Sequence, residues 1–399
     1  MNLRTAVVLA GGEGDRLRPL TRNRPKPMLP AGNRPILEYV FDSLIDSGIE
    51  QLHVVVGYKG TRVQDHFGPT YRGVPLAYHR QEKQLGSGHA LLQVRGAIDE
   101  PFLAVNGDQI ADPSIVADVA AAHMEGGAVA TLSVVESREA SRYGSVRLDG
   151  EEIVELIERP KSGDYRLLNA GVYGFDPSFL DELEATPRED GSLPLPAAVS
   201  RLVADEDHRV RGVRTEGFWT DATYPWDLLT AARQVFDMGW VELPEREPDV
   251  WVADSATVHP DATLQPPVAV SADCEIGAGA VVGPIVALGT NATVDANAVV
   301  RDSVVGDDSR IGANATVVDA VFGQNVRLGP GSVIPGGDAD VRVNDRIHEG
   351  ERLGAVLADR VAVEAGVVFS PGVMVGPNAS IEVGVRLVRN VSAGAEVTR

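Results

Sequence analysis

A six-residue apolar period occupies the chain from Val252 onward and leaves few folds open to that region. Val252, Val258, Leu264, Val270, Ile276, Val282, Leu288, Val294 and Val300 succeed one another without a slip. Three further series continue the rhythm: Val305, Ile311, Val317; Phe322, Leu328, Ile334; and Leu357, Val363, Phe369, Val375, Ile381, Leu387. Glycine often follows the apolar residue, as at Gly277, Gly289, Gly306, Gly312 and Gly376. An α-helix, with about 3.6 residues per turn, cannot keep such a repeat on one face. Three hexads make one triangular coil of a parallel β-helix, and each coil buries its apolar corners on the next. The interval 335–356 holds no hexad and is expected to leave the solenoid as a loop.

The first part of the chain has a different rhythm. Val7–Leu9, His53–Val56, Leu76–His79 and Phe102–Val105 read as strands. Ile36–Ser47, Thr61–Phe67 and His89–Val94 read as intervening helices. This alternation predicts an α/β, Rossmann-like, doubly wound and mostly parallel sheet covered on both faces. Residues 130–175 are richer in strands, and Trp226–Met238 reads as a helix. The Pro- and acid-rich stretch Leu243–Asp249 reads as a linker. The expected domains are therefore 1–240, a linker at 241–250, and a β-helix at 251–399.

The loop behind the first strand carries the chemistry. It reads Gly11-Gly12-Glu13-Gly14-Asp15-Arg16-Leu17-Arg18 and continues to Pro25-Lys26-Pro27. Glycines bring bare backbone N–H groups close to a ligand. Arg16, Arg18 and Lys26 add fixed charge for phosphate oxygens. The loop lacks the Gly-Lys-Ser/Thr of a Walker sequence and the third glycine and immediate helix of the dinucleotide fingerprint. It nonetheless suits a polyphosphate at the carboxyl end of a parallel strand.

A net charge of −21 argues against nucleic acid as a partner. Only four of the 36 basic residues are lysines (Lys26, Lys59, Lys83, Lys161), which predicts a surface suited to high salt, as in halophilic proteins. It also makes a lysine in the glycine loop conspicuous. Cys274 is the single cysteine, which fits a reducing, cytoplasmic setting. No apolar run reaches the length of a membrane span and no signal region opens the chain, so no membrane partner is expected.

On these motifs the chain resembles the sugar-1-phosphate nucleotidylyltransferases that carry a C-terminal left-handed β-helix. The nearest type is the archaeal bifunctional UDP-N-acetylglucosamine pyrophosphorylase/glucosamine-1-phosphate acetyltransferase (GlmU). The family run Gly-Gly-x-Gly-Thr-Arg-Leu-x-Pro-Leu-Thr…Pro-Lys-Pro is met except at Asp15, where threonine or serine is usual. The resemblance implies that Leu9, Ala10, Gly11, Gly12, Gly14 and Asp15, with Gln81 and Gly86 of the run Gln84-Leu85-Gly86-Ser87-Gly88-His89-Ala90, bind the nucleotide. It implies catalytic roles for Arg16, Lys26 and Asp108. Asp108 of Asn106-Gly107-Asp108 and Asp221 of Trp219-Thr220-Asp221 would hold Mg²⁺. Gly144, Glu158, Arg159 and Asn169 would bind the sugar phosphate, with Arg159 standing where the family has lysine. The Asp15 carboxylate should weaken triphosphate binding unless it turns away or pairs with Arg16 or Arg18.

The implied reaction joins a nucleoside triphosphate, UTP or dTTP, to glucose 1-phosphate or N-acetylglucosamine 1-phosphate and releases pyrophosphate. The implied assembly is a homotrimer or a higher homo-oligomer formed through the β-helix. Acetyl transfer by the β-helix is a poorer match. Residues 305–333 contain no histidine and no lysine follows Lys161; His348 of the long loop could substitute, but a histidine in such a loop is expected to be solvated. Guanylyl transfer to mannose 1-phosphate, acetyl transfer and a non-catalytic nucleotide-sugar scaffold are the alternatives.

Overall fold

The computed structural model describes residues 3–137, 140–161, 163–205 and 207–398. The chain forms two compact units, each interrupted in sequence. One comprises Met1–Glu13, Pro25–Met28 and Ile36–Asp221, and the other Gly14–Arg24, Leu29–Pro35 and Ala222–Arg399.

The first unit is built on a ten-stranded sheet. Its strands are β1 (Thr5–Ala10), β2 (Gln51–Val56), β3 (Thr70–Tyr71), β4 (Val74–Arg80), β5 (Phe102–Asn106), β7 (Ala130–Glu136), β8 (Gly144–Asp149), β9 (Glu152–Glu158), β10 (Leu167–Phe175) and β11 (Val210–Arg214). Strands β6 (Gln109–Ala111) and β12 (Trp219–Asp221) form a separate antiparallel pair. The spatial order is β8-β9-β11-β7-β10-β5-β1-β2-β4-β3. Strands β3, β9 and β10 run against the other seven, and four neighbouring pairs are parallel against five antiparallel, so the expected mostly parallel sheet is a mixed one: the run β5-β1-β2-β4 is parallel, and β9 and β10 insert antiparallel on the other side.

Strand β1 shows why both faces are covered. Its residues alternate in direction, so Val7 and Leu9 enter one core while Ala6, Val8 and Ala10 enter the other. Helices α1 (Ile36–Asp46) and α4 (Pro113–Met124) cover the second face with Leu37, Val40, Phe41, Leu44, Ile115 and Val119. The apolar spacing in α1 keeps those residues on one stripe. Asp112 caps α4 by accepting the Ser114 N–H at 2.8 Å, and Pro113 takes the first helical position. The opposite face is covered by α3 (Ser87–Leu91), α5 (Phe179–Ala185) and α6 (Leu195–Val203).

Among the described residues the second unit carries three sheets of eight, eight and seven strands, parallel throughout except for one reversed end strand, the arrangement of a three-faced solenoid. One face steps Val252↔Val270↔Leu288↔Val305↔Phe322↔Leu357↔Val375. Every position of the hexad series lies in one of these short strands, and all but the half-buried Val258 and Leu264 are buried. Where the sequence drops a residue, between Val300 and Val305 and between Val317 and Phe322, the rungs still pair. Many corners are turned by Asn or Asp in the left-handed region, such as Asn291, Asn297, Asn314 and Asn325.

Two segments differ from expectation. The interval 335–356 is a hairpin rather than a plain loop, with Asp338–Val343 paired antiparallel to Arg346–Arg352. Within the stretch read as a linker, Glu245–Glu247 pairs antiparallel with the first rung, Val250–Val252. An uncovered rung would present a row of unpaired backbone groups. Helix α7 (Asp227–Asp237) also belongs to this unit, with Phe236 stacked on Trp251 at 5.8 Å and Arg233 bonded to Asp302 at 3.2 Å. Among the described residues no helix is long and apolar enough to cross a membrane.

Candidate active site

The first unit gathers a lysine and two aspartates that are far apart in sequence. Asp108 lies in the turn between β5 and β6, and Asp221 ends β12. The β6–β12 ladder places Asp221 opposite Gln109, next in chain to Asp108. Lys26 sits in the short turn Lys26–Met28 and is buried. Its Nζ donates to Asp221 Oδ1 at 2.7 Å and to Asp108 Oδ2 at 2.8 Å. Burial pulls the ammonium pKa down, but the two carboxylates outweigh it and hold the value above the usual lysine range. Lys26 is therefore a fixed cation wherever the two aspartates are ionised.

The carboxyl ends of β1 and β5 lie beside one another. Leu9 and Ala10 are buried at the end of β1, and the Gly107 N–H donates to the Leu9 carbonyl at 3.0 Å. Gly11 follows under Gln81, and a Cβ added at Gly11 would lie 2.9 Å from Gln81 Oε1. Gln81 is buried and donates from Nε2 to the Gly86 carbonyl at 3.0 Å and to His89 Nδ1 at 3.1 Å. Burial, then Arg188, lower the His89 pKa, which suits a neutral ring accepting from Gln81. His89 thus serves a structural partner here. Gly12 is exposed.

The residues expected at the sugar phosphate also converge in part. Gly144 opens β8 opposite Glu158, the last residue of β9. Asn169 lies within a register shift of β10, between Asn169 and Tyr173. It is buried, donates to Tyr173 Oη at 2.6 Å and accepts the Gly171 N–H at 3.0 Å. Burial raises the Tyr173 phenol pKa, so this hydroxyl stays protonated at neutral pH. Arg159 is exposed and adopts a left-handed backbone, with its N–H donated to the Tyr143 carbonyl at 3.0 Å.

Sequence reading missed the residues that join these groups. Trp219 of β12 donates its indole N–H to the Ala170 carbonyl at 2.8 Å and meets Tyr143 edge-on at 5.1 Å. That ties the strand bearing Asp221 to the bulge bearing Asn169. Gly171 (φ +74) packs its bare Cα against the Asn106 and Gln109 amides, which flank Asp108. Gly171→Ala is expected to force a Cβ into those amides and to strain the left-handed backbone. Chemical denaturation should show a loss of about 2 kcal/mol, and a wild-type midpoint would refute the packing argument.

Gly14, Asp15 and Arg16 belong to the second unit. Gly14 takes a left-handed backbone, and its carbonyl accepts the Leu17 N–H at 2.9 Å and Thr21 Oγ1 at 2.8 Å. Asp15 pairs with Arg18 at 2.6 Å, one of the arrangements that would divert its charge from a bound phosphate. Arg16 lies over the Tyr224 ring, with its guanidinium carbon 5.9 Å from the centroid.

A nucleotidyl transferase family model matches residues 5–237, and a GMPPB C-terminal domain model matches residues 246–347. The UTP–glucose-1-phosphate uridylyltransferase AglF of Haloferax volcanii is 40% identical over 234 residues, covering 58% of this chain and 96% of that protein. The bifunctional protein GlmU of Methanocaldococcus jannaschii is 32% identical over 235 residues, covering 58% of this chain and 54% of that protein. The chain thus spans about half the length of that relative. A UDP-glucose pyrophosphorylase from Acinetobacter baumanii shares the fold with a TM-score of 0.53 at 20% identity, over 58% of this chain and 93% of that one. With more than half of its length matched by one family model, the chain belongs to the nucleotidyl transferase family.

Proposed function

We propose that this nucleotidyl transferase condenses UTP or dTTP with glucose 1-phosphate or N-acetylglucosamine 1-phosphate, giving a nucleoside-diphosphate sugar and pyrophosphate. The observation that carries this reading is the Lys26 ammonium held between the Asp108 and Asp221 carboxylates. Similarity to AglF favours UTP and glucose 1-phosphate among the candidates.

The attacking group is a phosphate oxygen of the sugar phosphate, already ionised at neutral pH, so no general base is needed. The new bond forms between that oxygen and the α-phosphorus. The bond from the α-phosphorus to the bridging oxygen of the β-phosphate breaks, and pyrophosphate departs with the electron pair. The protein must then align the groups and neutralise charge. Lys26 would face the charge developing on the α-phosphoryl group. The loop amides at Gly11, Gly12 and Gly14, with Arg16, would hold the departing phosphates. Gln81 and Gly86 would read the base, and Gly144, Glu158, Arg159 and Asn169 would seat the sugar phosphate.

The donor set fits Mg²⁺. Asp108 and Asp221 offer hard oxygens already arranged about one cation, the ammonium of Lys26. Among the described residues no group of three or more His, Cys, Asp or Glu side chains could hold a metal, so phosphates and water would complete the shell. When bound, the ion supplies charge neutralisation at the phosphate oxygens.

The solenoid is read as a left-handed β-helix that assembles the chain into a homotrimer or higher oligomer, in a cytoplasm rich in salt. Guanylyl transfer to mannose 1-phosphate is the second reading, with Asn169-Ala170-Gly171 as its support. The test is a panel of UTP, dTTP and GTP against glucose, N-acetylglucosamine and mannose 1-phosphates, followed by pyrophosphate release with Mg²⁺ in molar salt. UTP or dTTP with a gluco-configured partner is expected to lead. Preference for GTP with mannose 1-phosphate would replace the first reading with the second, and no pyrophosphate from any pair would end both.

A further inference from the structure

The arm Gly14–Arg24, which continues the glycine loop and carries Arg16, belongs to the same compact unit as the solenoid. Two anchors hold it. At one end, the buried Arg24 donates from Nη2 to Asp359 Oδ1 at 2.5 Å. Asp359 follows the rung Ala355–Leu357, is itself buried, and accepts the Gln324 N–H at 2.9 Å through the same oxygen. A buried ion pair gives little net stability because desolvation offsets its attraction, yet it fixes one arrangement against others.

At the other end is an aromatic platform. Arg16 lies over Tyr224, and Tyr224 stacks on Trp226 at 4.8 Å with rings 5° from parallel. The Thr223 and Tyr224 N–H groups both donate to Asp227 Oδ2, at 2.9 and 2.7 Å, which fixes the backbone beneath the platform. His348 closes the group, 4.4 Å from the Tyr224 ring and 5.2 Å from Trp226. It comes from Arg346–Arg352, the second strand of the hairpin that interrupts the hexad repeat. A loop histidine expected to be solvated is thus packed on two aromatic rings.

We propose that the solenoid unit positions the triphosphate-binding arm, with His348 bracing the platform on which Arg16 rests and Asp359 fixing Arg24. Both are positioning residues. The inference rests on reading Arg16 as a contact to the triphosphate. An arm held in its binding geometry beforehand binds without the cost of ordering it. The interruption of the repeat then has a purpose, since it delivers an aromatic side chain to the nucleotide arm.

The test compares full-length wild type with His348→Ala, His348→Phe and Asp359→Asn in pyrophosphate release. Loss of the brace is expected to raise the KM for UTP about tenfold in His348→Ala, the scale of a cation–π contact and its support, while the KM for glucose 1-phosphate changes less than about twofold. His348→Phe restores most of the loss because it keeps a ring on the platform. Asp359→Asn should shift the same constant in the same direction. Because Arg24 is buried, that variant endangers the fold, and the His348 pair keeps the question decidable. An unchanged KM for UTP, equal rises for both substrates, or failure of phenylalanine to restore binding would overturn the proposal. Wild type that releases no pyrophosphate from any pair would fail the nucleotidyl-transfer reading instead. Calorimetric affinity for Mg–UTP then decides: binding about tenfold weaker in His348→Ala supports the brace, while equal binding, or none by wild type, overturns it.

Discussion

Asp108→Ala is expected to lower pyrophosphate release by about a thousandfold or more while leaving the fold intact. The carboxylate stands in the turn after β5 and is partly exposed, and Lys26 keeps its second contact to Asp221 at 2.7 Å when Asp108 is removed. The folded core therefore loses little, whereas the reacting phosphates lose one of two acidic groups that converge on the same cation. Asp108→Asn isolates the charge from the shape, and it should be nearly as slow. Circular dichroism and the thermal midpoint check the fold, and single-turnover pyrophosphate release checks the chemistry. Turnover within about tenfold of wild type would remove Asp108 from the reacting centre.

Lys26→Met is expected to act on stability as well as rate. The substitution leaves two carboxylates facing one another, with the Asp221 side chain only 11% exposed. Breaking a buried pair by removing one partner costs about 3 kcal/mol, since the remaining charge is no longer compensated. The pH dependence follows from the direction of the shift. The Lys26 pKa is raised by folding, so its contribution is present in full below the ordinary lysine value and is lost only as pH rises through the higher folded value. Between neutral pH and pH 9 the wild type should show no change from this source. Mg²⁺ should raise the thermal midpoint of the variant more than that of the wild type. Equal responses to Mg²⁺ in the two proteins would mean that the aspartates do not form a cation site.

How much of this was legible beforehand differs between the two units. The hexads announce the solenoid because each repeat position has one fate, burial against the next coil, and local sequence suffices to say so. The β1 strand and the helix Ile36–Asp46 are legible for the same reason, through their apolar spacing. The loop motif and the two aspartates could be picked out singly. Their union with Lys26 was expected only through the family resemblance, because from the residues alone it depends on the β6–β12 ladder bringing Asp221 beside Asp108. The same holds for Trp219, whose indole reaches Ala170 only once both strands are in place. Gly171 gave no signal of the close approach it permits, since nothing in its neighbours predicts which amides will lie against it. The hairpin at Asp338–Val343 and Arg346–Arg352 escaped because the lost hexad drew the eye from its own period of two, which puts Val341 and Val343 in the interior between polar residues, while its second strand is polar but for Ile347. That Gly14–Arg24 belongs to the compact unit of the solenoid also lay beyond sequence reading, as packing alone decides which unit a loop residue joins.

The reversed strand Glu245–Glu247 bears on what the rod can become. Stacked coils offer at each end a template on which another molecule's coil could add, and so on without limit. Here one face of the first coil is closed by a segment of opposite polarity whose three residues are all solvent-facing. A second rod arriving end-on would find no parallel partner on that face and would have to press its own chain against two glutamates. End-on addition of a parallel coil is thus hindered on that one face by three residues.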